Sequence, residues 1–275
     1  MNHLFDYWAA LNTVLIMLGL GLAFDGRRLD LHYAVLARAI LAYNVIIPLS
    51  GWLVIGFATT WFSDDVLLAM LLCILCAGGT SAGAFVSRVS GSAPLAGTLI
   101  VVLVALSLLS LTALSVAGLQ FLGLSAFDRL PVTQLSGYLL LITLVPFLLG
   151  IAVTHRYSGW SHRWLPRVDR AGSVLTLLLV IALTLRYTAE ILSGPAEPLY
   201  AAALLVMLFM LAPLAMERDR IQRRTVILIT LIRNLTLVLS LMAILPDAET
   251  LLPTVLAFGL GMYLVAGGLV LAWRK

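Results

Sequence analysis

Charged residues are spaced so widely along the chain that its apolar positions merge into long blocks rather than one-sided stripes. Cutting at the charge, proline and glycine clusters leaves blocks near residues 7–24, 33–62, 65–90, 92–122, 131–155, 171–193, 198–216, 225–244 and 250–273. Each approaches or exceeds the roughly 20 apolar residues that a helix needs to cross a hydrocarbon core. None shows the period-two alternation, in segments of about ten residues, that marks a membrane β-barrel. The pattern predicts an all-α polytopic membrane protein with nine transmembrane segments, and an odd number of crossings puts the two termini on opposite sides.

Composition closes off the soluble alternative. Of 275 residues, 62% are hydrophobic and only 11% charged, against roughly 25% charged in a soluble domain. The basic residues then set the orientation. The connections at 25–32, 88–91, 155–170 and 217–224, the C-terminus and Arg38 hold 14 of the 17 Lys and Arg. The opposite connections carry Asp64, Asp65, Asp128, Glu197, Asp247 and Glu249, with Arg129 as their one basic residue. An excess of Lys and Arg marks the cytoplasmic face. The expected location is the cytoplasmic (inner) membrane, multi-pass, with the N-terminus outside and the C-terminus cytoplasmic. Trp61, Trp160, Trp164 and Trp273 fall at span ends, where an indole favours the headgroup region. The stretch 155–170, with four arginines, reads as a loop lying on an anionic leaflet. A net charge of +4 distributed in this way gives no case for nucleic-acid binding.

Two blocks are interrupted at their centres. Gly78-Gly79-Thr80-Ser81-Ala82-Gly83 breaks the third, and Arg233-Asn234 falls within the eighth, nine residues after Arg224 or about 13 Å along a helix. Paired interrupted helices in two halves of a chain are the best sequence pointer to an inverted-repeat transporter with its site at the membrane midplane. The halves here supply four and five spans.

Several stretches carry a resemblance that runs in order over nearly the whole chain. Thr13-Val-Leu-Ile-Met-Leu-Gly-Leu-Gly-Leu precedes a short polar loop and a span with Pro48. Leu75-Cys-Ala-Gly-Gly-Thr-Ser-Ala-Gly leads to Gly91 and Leu95, and Leu144-Val-Pro-Phe-Leu-Leu-Gly and Arg233-Asn-Leu-Thr-Leu follow. Together they resemble the opening segment, first crossover and second crossover of the bile acid:sodium symporter family. The resemblance implies an inverted-repeat transporter with two broken crossover helices, of ten helices or of nine where the first is absent. It also implies a panel domain of residues 1–32 and 125–196, and a core domain of 33–124 and 197–275 carrying the crossovers. Alternating access would come from one domain moving against the other.

The chain departs from the family at its sodium ligands. Where the family places oxygen-bearing side chains, this sequence aligns Ala82, Gly83, Ala96, Ile100, Tyr43, Ile229 and Arg233. Sodium is therefore not expected to bind, and no cofactor or metal is expected.

Arg233 is the strongest candidate for chemistry, because a cation near the centre of a span costs at least about 2.5–3.5 kcal/mol and needs a cavity or a partner. It is either a structural arginine tied to carbonyls of the broken helices, a fixed cation where sodium would sit, or a bidentate partner for a substrate carboxylate. Thr80, Ser81 and Asn234 stand where half-helices would aim their N–H groups into a cavity, which favours anions. The resemblance adds substrate contact for Thr80 and Asn234, and capping of the broken helices is the plainer alternative. Tyr43 and Asn44 lie mid-span, five residues or fewer before Pro48, and either line the cavity or bond between helices. Arg38, Arg186 and Glu190 lie near span ends and receive no function. Cys73 and Cys76 are one turn apart, and buried apolar thiols explain them better than a soft metalloid site.

Gly79-Thr-Ser-Ala-Gly matches a nucleophile-elbow pattern but has no strand before it, and His155 and His162 fall in a cytoplasmic segment. With no paired acids and no nucleophile beside a base, an enzyme is not expected. The reading is a secondary transporter of organic anions, bile-acid-like or small carboxylates, working by alternating access without sodium. Its alternatives are a sodium-coupled symporter of the same family and a non-transporting membrane sensor or scaffold on the same fold. The expected partners are the organic anion and membrane lipid, with the oligomeric state left open.

Overall fold

The computed structural model describes residues 3–23, 33–76, 78, 79, 81–89, 91, 92, 95–104, 106, 137, 138, 140–216, 219–242, 245 and 248–273. Among these the chain is helical almost throughout. Helix α1 spans His3–Ala23, α2 Tyr33–Leu41, α3 Ile47–Ala58, α4 Asp64–Leu75 and α5 Ala82–Val86. They are followed by α6 (Leu95–Val104), α7 (Val145–Arg156), α8 (Ser158–Ser193) and α9 (Glu197–Met216). The chain ends with α10 (Arg220–Leu231), α11 (Leu235–Met242) and α12 (Ala248–Trp273). Among the described residues three continuous helical stretches, 33–58, 158–189 and 248–273, are long and apolar enough to cross a membrane. The boundary expected at 124/125 lies outside the described residues.

Two π-turns mark where proline enters a long helix. Residues 42–46 join α2 to α3 just before Pro48, and 140–144 lead into α7 just before Pro146. A proline ring lacks the N–H of the helical ladder and collides with the carbonyl four residues back, and a widened turn relieves both problems. The first π-turn carries Tyr43, which bears on the site below.

The segment 155–170 corrects the sequence reading. Its charges predict a loop, but from Ser158 onward it is the start of α8, which runs through Pro166. Side chains at helical spacing explain this. Trp160 and Trp164 pack with ring centroids 5.5 Å apart, and the Arg167 guanidinium lies 5.0 Å from the Trp164 ring. Their separations of four and three residues place all three on one helical face.

α1 packs against α7, α8 and α11, while α12 lies against α9, α4 and α8. Where α1 crosses α7 the backbones nearly touch. A Cβ on Gly21 would stand 2.2 Å from the Phe147 carbonyl oxygen, and one on Gly150 would stand 2.6 Å from that of Leu18. Lipid tails are as apolar as leucine, so small residues that admit close backbone approach replace the hydrophobic drive between helices. Hydroxyls add polar adhesion at the same contact. Thr154 Oγ1 and Ser161 Oγ both donate to the Leu22 carbonyl, at 3.0 and 2.9 Å, and so satisfy an end carbonyl of α1. Outward positions such as Leu49, Leu53, Phe57, Leu185 and Leu264 are apolar and exposed, as a lipid-facing surface requires.

Gly150→Val is expected to force α1 and α7 apart at a cost of about 1–3 kcal/mol, measured as a lower midpoint of thermal unfolding in detergent. Gly268→Ala should leave the midpoint unchanged, because nothing lies within 4 Å of a Cβ there.

Candidate functional site

Both central interruptions predicted from sequence are real breaks in helix. α4 ends at Leu75, with Cys76 extended, and the helix resumes at Ala82. α10 ends at Leu231, with Ile232 extended, and the helix resumes at Leu235. The two extended pieces pair with each other. Gly78 and Arg233 form an antiparallel bridge, and Gly79 N–H donates to the Ile232 carbonyl at 2.7 Å. Backbone groups freed by unwinding thus satisfy one another, as non-helical backbone at membrane depth must. The pairing depends on glycine. A Cβ on Gly78 would lie 2.9 Å from the Ile229 carbonyl oxygen, and one on Gly79 would lie 2.9 Å from that of Arg233.

Arg233 is 1% exposed and points away from the bridge into the protein. Its Nε donates to the Cys73 carbonyl at 3.2 Å, and Nη2 donates to the Ile74 carbonyl. These oxygens belong to the last turn of α4, the partially negative end of a half-helix, where a cation is stabilised. The guanidinium carbon lies 4.3 Å from the Tyr43 ring centroid and 4.6 Å from that of Phe209. Desolvated cation–π contacts of this kind reach about 2 kcal/mol. The Tyr43 hydroxyl donates to the Cys76 carbonyl over a long 3.4 Å. The two cysteines therefore meet this cluster through their backbone carbonyls. Both thiols are free and buried, and among the described residues no group of His, Cys, Asp and Glu is placed to hold a metal.

On the other side of the bridge lies a cavity of about 530 Å³. Its walls are Ile16 of α1, Ser173, Thr176, Leu177, Val180 and Ile181 of α8, Gly79, Ser81, Phe85 and Arg88 of the first crossover, residues 233–236, and Leu260 and Tyr263 of α12. Asn234 sits at the break. Its Oδ1 accepts from Leu237 N–H at 3.2 Å and from Thr236 Oγ1 at 2.7 Å, which caps α11. Its Nδ2 has no hydrogen-bond partner although the residue is only 4% exposed. A buried amide donor without an acceptor is costly. Ser81 Oγ lies 3.3 Å from the Tyr263 hydroxyl, and the Phe85 and Tyr263 rings stand 6.1 Å apart.

Ser81 and Asn234 thus share one cavity, whereas Tyr43 and Asn44 do not line it. Asn44 Nδ2 donates to the carbonyl of Ile40 in its own helix at 3.2 Å. Arg233 borders the cavity, but the groups around its guanidinium, Tyr43, Phe209, Cys73 and Ile74, do not. Thr80 lies outside the described residues. Sequence reasoning overlooked Thr176, Tyr263 and Arg88 as wall residues. Arg88 had a visible signal, a lone cation soon after the glycine break, but Thr176 and Tyr263 reach the cavity only through the packing of distant helices. Ala82, Ala96, Ile100 and Ile229, four of the positions expected to have lost sodium ligands, are buried and carry no side-chain oxygen.

No curated protein matches the chain. The model of the Sodium Bile acid symporter family matches residues 10–194, about two thirds of the sequence, from α1 through α8 and including the first crossover. The second crossover, with Arg233 and Asn234, lies beyond that match. Apolar helices long enough to span a bilayer, a first crossover broken at paired glycines and a family match of this extent lead to one conclusion: the chain belongs to the sodium bile acid symporter family, whose members are membrane transporters.

Proposed function

We propose that the protein carries organic anions, bile-acid-like or small carboxylates, across the cytoplasmic membrane by alternating access and without sodium. The observation that carries this reading is the Arg233 guanidinium on the terminal carbonyls of α4, beside a cavity lined by Asn234, whose buried Nδ2 lacks a hydrogen-bond partner. In this reading Arg233 is a fixed cation standing in place of a bound sodium ion. It holds the crossover together and adds positive potential to the site. Asn234 and Ser81 contact the carboxylate, and the apolar wall of Ile16, Leu177 and Val180 takes the hydrocarbon part. Tyr43 supports the cation rather than the substrate.

The moving parts are a panel of residues 1–32 and 125–196 and a core of 33–124 and 197–275, with the cavity between α1 and α8 of the former and the crossovers of the latter. The distribution of arginines supports a C-terminus in the cytoplasm and an N-terminus outside.

Thermal stability of the purified protein against a panel of organic anions, in sodium chloride and in choline chloride at equal ionic strength, tests the reading. A ligand that binds only the folded state raises the midpoint, and the rise is expected to be the same in both salts. A rise confined to sodium would restore the sodium-coupled symporter. Binding without flux in proteoliposomes would point to a sensor or scaffold.

Arg233→Gln, checked for folding by its own melting curve, is expected to lose at least about tenfold in anion affinity, or about 1.4 kcal/mol. Isothermal titration with the stabilising anion measures this, and unchanged affinity would remove Arg233 from the site.

A further inference from the structure

A second cavity, of about 420 Å³, lies away from the crossovers and is lined by Arg220, Arg223, Arg224, Ile227 and Trp273. The first four occupy one face of α10, at spacings of three and four residues, and Trp273 closes the cavity from the last turn of α12. Three cations in the first two turns of a helix oppose the positive end of its dipole. The first turn of α10 has no acidic residue. Asp219, the N-cap, uses its carboxylate to accept from the N–H groups of Ile221 and Gln222, at 3.0 and 2.9 Å. Arg224 is 7% exposed; it donates to the Val89 carbonyl at 3.2 Å and lies 5.5 Å from the Trp273 ring. Among the described residues no carboxylate forms a salt bridge with these three arginines.

The level of this cavity in the membrane follows from α12. Its 26 residues extend about 39 Å, beyond a hydrocarbon core of about 30 Å, so Trp273 at its end stands among headgroups. The cavity combines three arginines, none of them salt-bridged among the described residues, with the apolar surfaces of Ile227 and Trp273. A soluble anion would use only the charge, whereas an anionic lipid uses both.

We propose that this cavity binds the headgroup phosphate of an anionic phospholipid in the leaflet that the arginine distribution makes cytoplasmic. Arg220 and Arg223 donate to the phosphate oxygens. Arg224, held by Val89 and Trp273, fixes the floor, and Ile227 and Trp273 receive the glycerol and first acyl carbons. Basic pockets between spanning helices at the cytoplasmic surface recognise lipid headgroups by this chemistry. The proposal rests on the membrane location and not on transport, so its test reads lipid retention alone.

The protein is purified into micelles doped with equal amounts of phosphatidylglycerol and phosphatidylcholine, and retained lipid is counted by native mass spectrometry. Preferential retention of phosphatidylglycerol is expected, with the preference falling about tenfold or more in Arg220→Gln/Arg223→Gln. Arg220→Lys/Arg223→Lys, which keeps the charge, should restore most of it and excludes a folding defect as the cause. Equal retention of the two lipids by the wild type, or an unchanged preference in the glutamine variant, overturns the proposal. Displacement of phosphatidylglycerol by millimolar glycerol phosphate assigns the cavity to a soluble phosphate and overturns the lipid assignment.

Discussion

A guanidinium held on the end of a half-helix is the contact on which the centre of this structure depends. α4 and α10 both stop inside the protein, and each stop leaves carbonyls without intrahelical partners. In water such groups would be solvated. At membrane depth they need a donor from the chain, and each unsatisfied group costs several kcal/mol. Arg233 supplies donors to two of them, at Cys73 and Ile74, while its own backbone bridges to Gly78. One residue therefore fastens both broken helices. The rings of Tyr43 and Phe209 shield its charge, and Phe258 backs Phe209 at 5.6 Å. The cation and the breaks require each other: without the arginine the carbonyls lack donors, and without the carbonyls the arginine is an isolated charge in an apolar interior.

The same local geometry explains why Arg233 and Asn234, adjacent in sequence, have opposite surroundings. Ile232 is extended and Arg233 sits in the antiparallel bridge with Gly78, and in strand-like backbone successive side chains point to opposite faces. Arg233 turns toward α4, while Asn234 turns toward the cavity and caps α11. Helical spacing, the rule applied to the sequence, has no such alternation and places neighbours about 100° apart. The positions of both breaks were legible because Gly78-Gly79 and Arg233-Asn234 are improbable in an apolar span. The direction of the guanidinium was not, because it depends on which of two unwound strands lies behind the other.

Other differences have equally local causes. Tyr43 lies within the apolar stretch 33–58, but the π-turn before Pro48 presents it to Arg233 rather than to the cavity. The stretch 155–170 looks like a loop by its charges, yet Trp160, Trp164 and Arg167 fall on one helical face and the backbone follows them. Charge marks which residues stay at the membrane surface; it does not decide whether they are helical there. The proximity of Arg224 to Trp273 has no sequence signal, since it depends on how α10 and α12 pack.

A tethered cation and a bound ion can fill the same electrostatic role with different thermodynamic consequences. A bound sodium ion has a concentration on each side of the membrane, so its binding couples substrate affinity to a gradient through a reciprocal interaction energy. A guanidinium attached to the backbone has no concentration. It stabilises an anion equally whichever side the cavity faces, and neither arrives nor leaves with the substrate. Where Arg233 provides the positive charge, that charge contributes to affinity and to the integrity of the crossover but supplies no driving force. Net movement of substrate past it then follows the substrate's own gradient, or a counter-substrate, unless a group elsewhere in the chain binds an ion.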